Sequence, residues 1–347
     1  MKQLIALGFV LSFFLKTSLA QNSSDSIRSK YIQRFPNYFF FWPVIKQRST
    51  SFDVKNQASQ KLTYKPNGNY GLGFGMYIFE IGFEVTFSVA PKPSSQAIYG
   101  HSQSSDLQLN VLGKSFGLDL FTQHYGGFYL TDSNKPVSSG SPYPDRPDIS
   151  VWNTGMNGVY IFNKNKYSLR AAYNFSERQL HSGGSFILSG TINTFSLRAD
   201  SAVYGNKYAS TFGTTGDFVK LDYTTLSVAP GYAHTLVFKS LFINASLSIG
   251  PANHWLHYES STMEKTEITL NSFADIRLAV GYNSDRFFTG LSYIAQARNI
   301  KFEQLEFTNT NTTFKIVIGY RFNEFGILKY RVWDLLPSKK NKTKKVD

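Results

Sequence analysis

His181 and Ser182, with Ser185 close behind and Glu177 and Arg178 just ahead, form the densest group of reactive side-chain types in this sequence. A hydroxyl beside an imidazole is the apparatus of acyl hydrolysis or acyl transfer. It becomes a nucleophile only when the base lies within hydrogen-bond reach and a third group orients that base. Here the residues are merely adjacent, in a stretch (His181-Ser182-Gly183-Gly184) that reads equally as a turn. Catalysis by His181, Ser182 or Ser185 is therefore ranked behind the non-enzymatic readings below. A second set mixes acids with bases: Glu84, Asp119, Asp200, Asp222 and Asp275 against Arg170, Arg198, Lys220, Arg277 and Arg321. Acids alone could ligate a metal or move protons, whereas both signs on one face pair with each other as a charge ladder. The chain has no cysteine, and its six histidines are scattered without an HExxH spacing. No metal and no cofactor are expected.

These side chains must be positioned by strands. From Tyr70 to Ala90 the chain alternates strictly: Tyr70, Leu72, Phe74, Met76 and Ile78 are separated mostly by glycines, and after a reversal near Phe79 the large set becomes Ile81, Phe83, Val85, Phe87 and Val89. A period of two puts one set on each face of a hairpin, one face apolar and one small or polar. In a soluble sandwich the apolar face points inward; in a membrane barrel it points to lipid and the polar face lines the lumen. Aromatic residues make up 16% of the chain and charged residues only 17%, below the charged content of ordinary soluble domains. That balance suits aromatic girdles. The formal net charge is +13.

Residues 1–20 combine Lys2, an apolar run from Leu4 to Leu15 and Ser18-Leu19-Ala20, which predicts a secretory signal peptide. Residues 21–36 read as a polar periplasmic lead-in, 37–322 as the barrel and 323–347 as a basic tail ending in a lysine run. No apolar run of the mature chain is long enough for a transmembrane helix. Short connections near 78, 113, 164, 191, 238 and 284 alternate with longer ones near 57, 97, 140, 180, 211, 258 and 305. This sorting is the up-and-down barrel pattern, with about fourteen antiparallel strands, or twelve if 38–63 stay outside. Both wall termini then lie on the periplasmic side. By phase, Glu84, Asp119, Arg170, Arg198, Asp200, Asp275, Arg277 and Arg321 line the lumen, and Pro43 and Pro230 mark bulges or edges. The final strand carries Phe314, Tyr320 and Phe322, read as an assembly signal for the barrel assembly machinery.

Three ordered motifs carry a family resemblance. They are Tyr64-Lys65-Pro66-Asn67 before the glycine-alternating strand, Gln123-His124-Tyr125-Gly126-Gly127-Phe128-Tyr129, and Tyr167-Ser168-Leu169-Arg170-Ala171-Ala172 running on to Gln179-Leu180-His181-Ser182-Gly183-Gly184-Ser185-Phe186. With Ala229-Pro230-Gly231-Tyr232 they make nearly the whole mature chain similar to the Bacteroidota proteins grouped as domain of unknown function 4421. The resemblance implies an outer-envelope barrel and assigns no activity.

Three functional expectations follow, in order. The first is an outer-membrane channel or transport-type barrel for a small solute of unknown identity. The second is a structural or interaction barrel with a filled lumen, and the third a lipid-modifying enzyme. Outer-membrane lipid is an expected partner; nucleic acid is not, because the tail's lysines have no interleaved aromatics and an exported barrel meets none.

Overall fold

The structure, a computed structural model, describes residues 22–68, 70–78, 81–204, 208–212, 218–260 and 263–329. The expected leader and the lysine run of the tail lie outside these residues. In chain order come helix α1 (Asn22–Tyr31), β1 (Ile32–Arg34), β2 (Tyr38–Asn56), β3 (Lys61–Lys65), β4 (Tyr70–Ile78) and β5 (Ile81–Val89). Then follow α2 (Pro93–Tyr99), β6 (Gln103–Leu112), β7 (Phe116–Asp132), β8 (Asp145–Ile161), α3 (Leu169–Tyr173), β9 (Glu177–Gln179) and β10 (Gly183–Arg198). The rest is α4 (Ala209–Phe212), β11 (Phe218–Phe238), β12 (Leu241–Ser260), β13 (Glu264–Asn283), β14 (Phe287–Phe302) and β15 (Leu305–Asn323).

The architecture is all-β and antiparallel. Ten strands close into a barrel in the order β2, β3, β7, β8 and β10 through β15, with β15 returning to pair with β2 from Asn56 to Tyr38. Tyr38 and Asn323 are partners, so the wall begins and ends at the same end, here called the terminal end. The three further strands create a fork. β3 bridges β2 and β7 near the opposite, loop end. Toward the terminal end β4 takes its place beside β2, β5 pairs with β4, and β6 pairs with β7.

The expected fourteen strands are thus not found, for two physical reasons. Gly190 to Thr194 reads as a turn, yet β10 runs unbroken through it, because Thr191 and Asn193 are polar residues facing the interior. The stretch 166–176, expected as a strand, instead folds inward as the short helix α3, capped by the Ser168 side chain accepting from the Ala171 amide. The loop sorting is correspondingly imperfect: 162–182 is a long connection at the terminal end, and β14 and β15 are joined by only 303–304 at the loop end. Neither proline shifts the register. The β2 to β15 pairing has the same register on both sides of Pro43, and the β11 to β12 pairing on both sides of Pro230.

Alternation sorts each strand's side chains. Along β12, Leu241, Ile243, Leu247 and Ile249 are exposed, while Asn244, Ser246 and Ser248 are buried. Farther along, without a register break, Leu256 and Tyr258 are the buried residues and His257 and Glu259 face outward. An apolar outer belt of roughly ten residues per strand therefore gives way to a polar outer rim, and a span of that length matches a tilted strand crossing a hydrocarbon layer.

Candidate functional site

The interior is the place where this fold brings chemistry-bearing side chains together, and it is filled in three layers. At the loop end the strands' own inward residues pack with the 199–212 connection: Phe52, Phe195, Phe218, Tyr223 and Phe307 meet as a cluster of rings, joined by Val203, Tyr204 and Phe212. Tyr64 stacks on Phe52 at 4.5 Å and donates its hydroxyl to the Val203 carbonyl at 2.6 Å.

At the terminal end the seal is made by other parts of the chain. β1 pairs with β9, and α3 lies inside the wall against Phe40, Trp42, Phe242 and Phe288. The buried Glu177 holds this plug together: Arg28 reaches it at 2.7 Å and Arg170 at 3.5 Å, and Ser168 donates its hydroxyl to it. Burial works against a charge on Glu177, yet Arg170, Arg28 and Ser168 keep its carboxyl below the usual carboxylate range. A cavity at this mouth, bordered by Phe35, Tyr77 and Arg170, measures about 10 Å³, room for a single water at most.

Between the seals lies a polar layer. Arg298, fully buried, donates to Asn193 at 2.8 Å, Thr191 at 3.0 Å and Asn157 at 3.2 Å. Asn157 continues to Gln296, and Asn193 through Asn153 to Gln123 and on to Asp106, which also pairs with Arg48 at 2.9 Å. Arg277 bridges Asp275 at 3.0 Å and Asp119 at 3.4 Å. Glu84 is paired with Lys46 and, at 3.4 Å, with Lys315. Chains of paired polar side chains crossing a low-dielectric interior are stiff, because each lost partner leaves an expensive orphan; here Arg298 Nη1 and Arg48 Nε are buried without a partner.

Of the expected lumen residues, Glu84, Asp119, Asp275 and Arg277 are in this layer. Arg321 also points inward but belongs to the terminal seal, 3.9 Å from the Phe35 ring centre and donating to the Phe175 carbonyl at 2.7 Å. Arg170 sits in the plug helix and not on the wall. Arg198 is a correction: it lies on the outer face, in a two-bond pair with Asp222 at 2.7 and 2.8 Å. Asp200 is exposed beyond the end of β10. In both cases the strand's inward set is the odd-numbered one, with Phe195 and Leu197 buried. Lys220, paired with Glu259, is likewise on the outer rim.

The serine and histidine candidates are not brought together as a catalytic group. Ser182 accepts from the Val237 amide, Ser185 accepts from the Asn163 amide and donates to the Phe186 carbonyl, and the His181 ring stands edge-on to Tyr31 at 5.9 Å. Phe314, Tyr320 and Phe322 share the outer face of β15, where Phe322 stacks on Phe39 at 5.1 Å. The hub that sequence reasoning missed is Arg298. It is in phase with the inward Ser292 and Gln296 of β14.

The motifs behind the family resemblance hold the fork and the plug. Asn67 accepts from Ser95 and donates to the Ser102 hydroxyl and the Gly100 carbonyl, and Ser102 donates to the Gly127 carbonyl at 2.7 Å. Gly127 has φ +78°, and a β-carbon there would stand 2.3 Å from the His101 carbonyl oxygen. Gln179 donates to the Lys166 carbonyl and accepts from the Ser168 amide.

Residues 23–322 match the model of a family described as "Domain of unknown function (DUF4421)". No curated protein matches the chain. Among solved structures it is similar to the outer membrane protease OmpT from Escherichia coli, at 8% identity over 83% of this chain and 97% of that one, with a TM-score of 0.39. It is also similar to the translocator domain of the autotransporter NalP from Neisseria meningitidis, at 6% identity over 81% and 88%, with a TM-score of 0.33. A third is the beta domain of the Bordetella autotransporter Brka, at 11% identity over 82% and 99%, with a TM-score of 0.30.

Proposed function

The chain belongs to the DUF4421 family, and from that premise we propose that it is an outer-membrane β-barrel of a Bacteroidota envelope whose lumen is sealed and whose work is done at its surfaces. The observation that carries this reading is the filled interior, an aromatic seal at each end with a paired polar layer between. The outward apolar belt supports the membrane setting, since closed barrels are one of the two ways a backbone can satisfy its hydrogen bonds in lipid. The order of the expectations is thereby reversed. A solute path requires both seals to be displaced and Arg277 to leave Asp275 and Asp119, so the structural and interaction reading comes before the channel. A lipid-modifying site has no assembled nucleophile and base at His181, Ser182 and Ser185 to support it.

Planar-bilayer recording tests this. Refolded wild type is expected to give no single-channel steps, and a variant lacking 166–176 is expected to be less stable yet still to give none, because the polar layer and the loop-end seal remain. Regular steps in wild type, changed in size by Arg277→Ala, would return the channel reading to first place.

A further inference from the structure

On the outer wall, the rungs that cross β8, β10, β11, β12 and β13 change character over a short height. One rung is Met156, Ile192, Leu226, Asn253 and Leu270; the next is Thr154, Thr194, Thr224, Trp255 and Ile268. Above them come Trp152, Ser196, Asp222, His257 and Thr266, and then the charged Arg198, Lys220, Glu259 and Glu264. The two middle rungs enclose a hollow of about 420 Å³. It is lined by Trp152 and Trp255, by the hydroxyl side chains of Thr154, Thr194 and Thr224, and by Asp222 and His257; His124 lies against the Trp152 ring at 4.2 Å.

We propose that this hollow binds the sugar headgroup of a membrane glycolipid, an inference that rests on the membrane reading above. The position selects a headgroup, because the hollow sits where outward residues pass from Leu and Ile to charge. The walls select a ring. Strands spaced about 4.8 Å apart put Trp152 and Trp255, three strands and one rung from each other, roughly 16 Å apart at the backbone, which leaves room for one or two pyranose rings to lay an apolar face on indole. Thr194, Thr224 and Ser196 offer hydroxyl donors and acceptors to sugar hydroxyls, while His257 is bonded to Thr266 and Glu259. Charge argues against a phosphate head: Asp222 is taken by Arg198 and Glu259 by Lys220, and Glu264 adds a further carboxylate, so no cation is left over for a phosphate.

The test uses full-length mature protein in vesicles of phosphatidylethanolamine with a minor fraction of diglucosyl diacylglycerol. The protein is extracted in a detergent without a sugar head, and its bound lipid is measured by mass spectrometry. Wild type is expected to retain the glycolipid in preference to phosphatidylethanolamine. Trp152→Ala with Trp255→Ala is expected to lower retention by about tenfold or more, and Leu270→Ala, on the apolar side of the hollow, to leave it unchanged. Free maltose separates the sources: displacement by maltose assigns the affinity to the sugar alone, and retention in its presence assigns it to the lipid-anchored sugar. Wild type that inserts without glycolipid enrichment, or enrichment that survives the double substitution, would overturn the site alone. Wild type that fails to insert would overturn the membrane reading and the site with it. Gel migration before and after heating reports whether each variant is folded.

Discussion

The belt and the loop-end extension are built from the same strands with opposite polarity. In the belt, β12 turns Leu247 and Ile249 outward and Ser246 and Ser248 inward; in the extension it turns His257 and Glu259 outward and Leu256 and Tyr258 inward. β2 does the same, with Lys46 and Arg48 facing Glu84 and Asp106 inside, then Phe52 and Val54 buried beneath Asp53 and Lys55. The register of β12 with β13 and of β2 with β15 is the same in the two zones. The apolar face is outward over the belt and inward over the extension, so that one strand has the pattern of a membrane strand for part of its length and of a soluble-barrel strand for the rest.

That contrast can be broken most directly at a core ring. Phe307→Ala, in the extension, is expected to cost about 3–5 kcal/mol in denaturant unfolding, because its neighbours Phe52, Phe195 and Phe218 cannot close the space. Leu247→Ala, in the belt, is expected to cost far less, since a fluid lipid chain fills the gap. Equal losses at the two sites would mean that the extension has no packed core. A charge scan comes next. Leu247→Arg is expected to destabilise the inserted barrel by about 2–4 kcal/mol, and Thr310→Arg, on the outer rim, to stay within about 0.5 kcal/mol. Similar responses would erase the boundary between the zones.

The two seals differ as well, and Glu177 sharpens that difference. Glu177→Gln weakens charged hydrogen bonds to Arg28 and Ser168 and is expected to loosen the terminal plug by about 1.5–3 kcal/mol, read as protease cleavage within 162–182 while the loop end stays protected. Acid should act the same way on wild type. The Glu177 carboxyl is held below its ordinary range in the folded protein, so its contribution is present above the unfolded value of about 4.3 and is lost as pH falls through the lower folded value. Protection of 162–182 should therefore decline only below about pH 4.3, and Glu177→Gln should flatten that decline. A plug that opens on raising the pH instead would contradict the assignment. A small loss is expected on the outer rim, where Arg198→Ala breaks a partly exposed pair with Asp222 and should cost less than about 1 kcal/mol.

Much of this was written locally. Strict alternation in 70–90 fixed a hairpin with one apolar face, and it is found as β4 and β5 paired from Ile78 and Ile81 outward. Glu84, Asp119, Asp275 and Arg277, inward by phase, are found paired in the interior. Phase misplaced Arg198 and Asp200, because the supposed turn at 191 broke β10 in two and lost the parity that Phe195 and Leu197 reveal. Asn193 and Thr191 look like turn residues until Arg298, a hundred residues away in the chain, is set against them. Likewise 166–176 alternates well enough to be a strand, and only its docking inside the wall makes it a plug.

What the sequence determined by itself, then, was the class: period-two strands with one apolar face, an all-β antiparallel wall, and four of the interior charges. These depend on neighbours within a few residues, which alternation records directly. Tertiary structure alone decided the number of closing strands, the fork, the reversal of inside and outside along a strand, and the sealing of the lumen. Each of those depends on which distant segment competes for the same space: β3 or β4 beside β2, α3 or water inside the barrel, lipid or solvent against the outer face. A period of two carries no information about that competition.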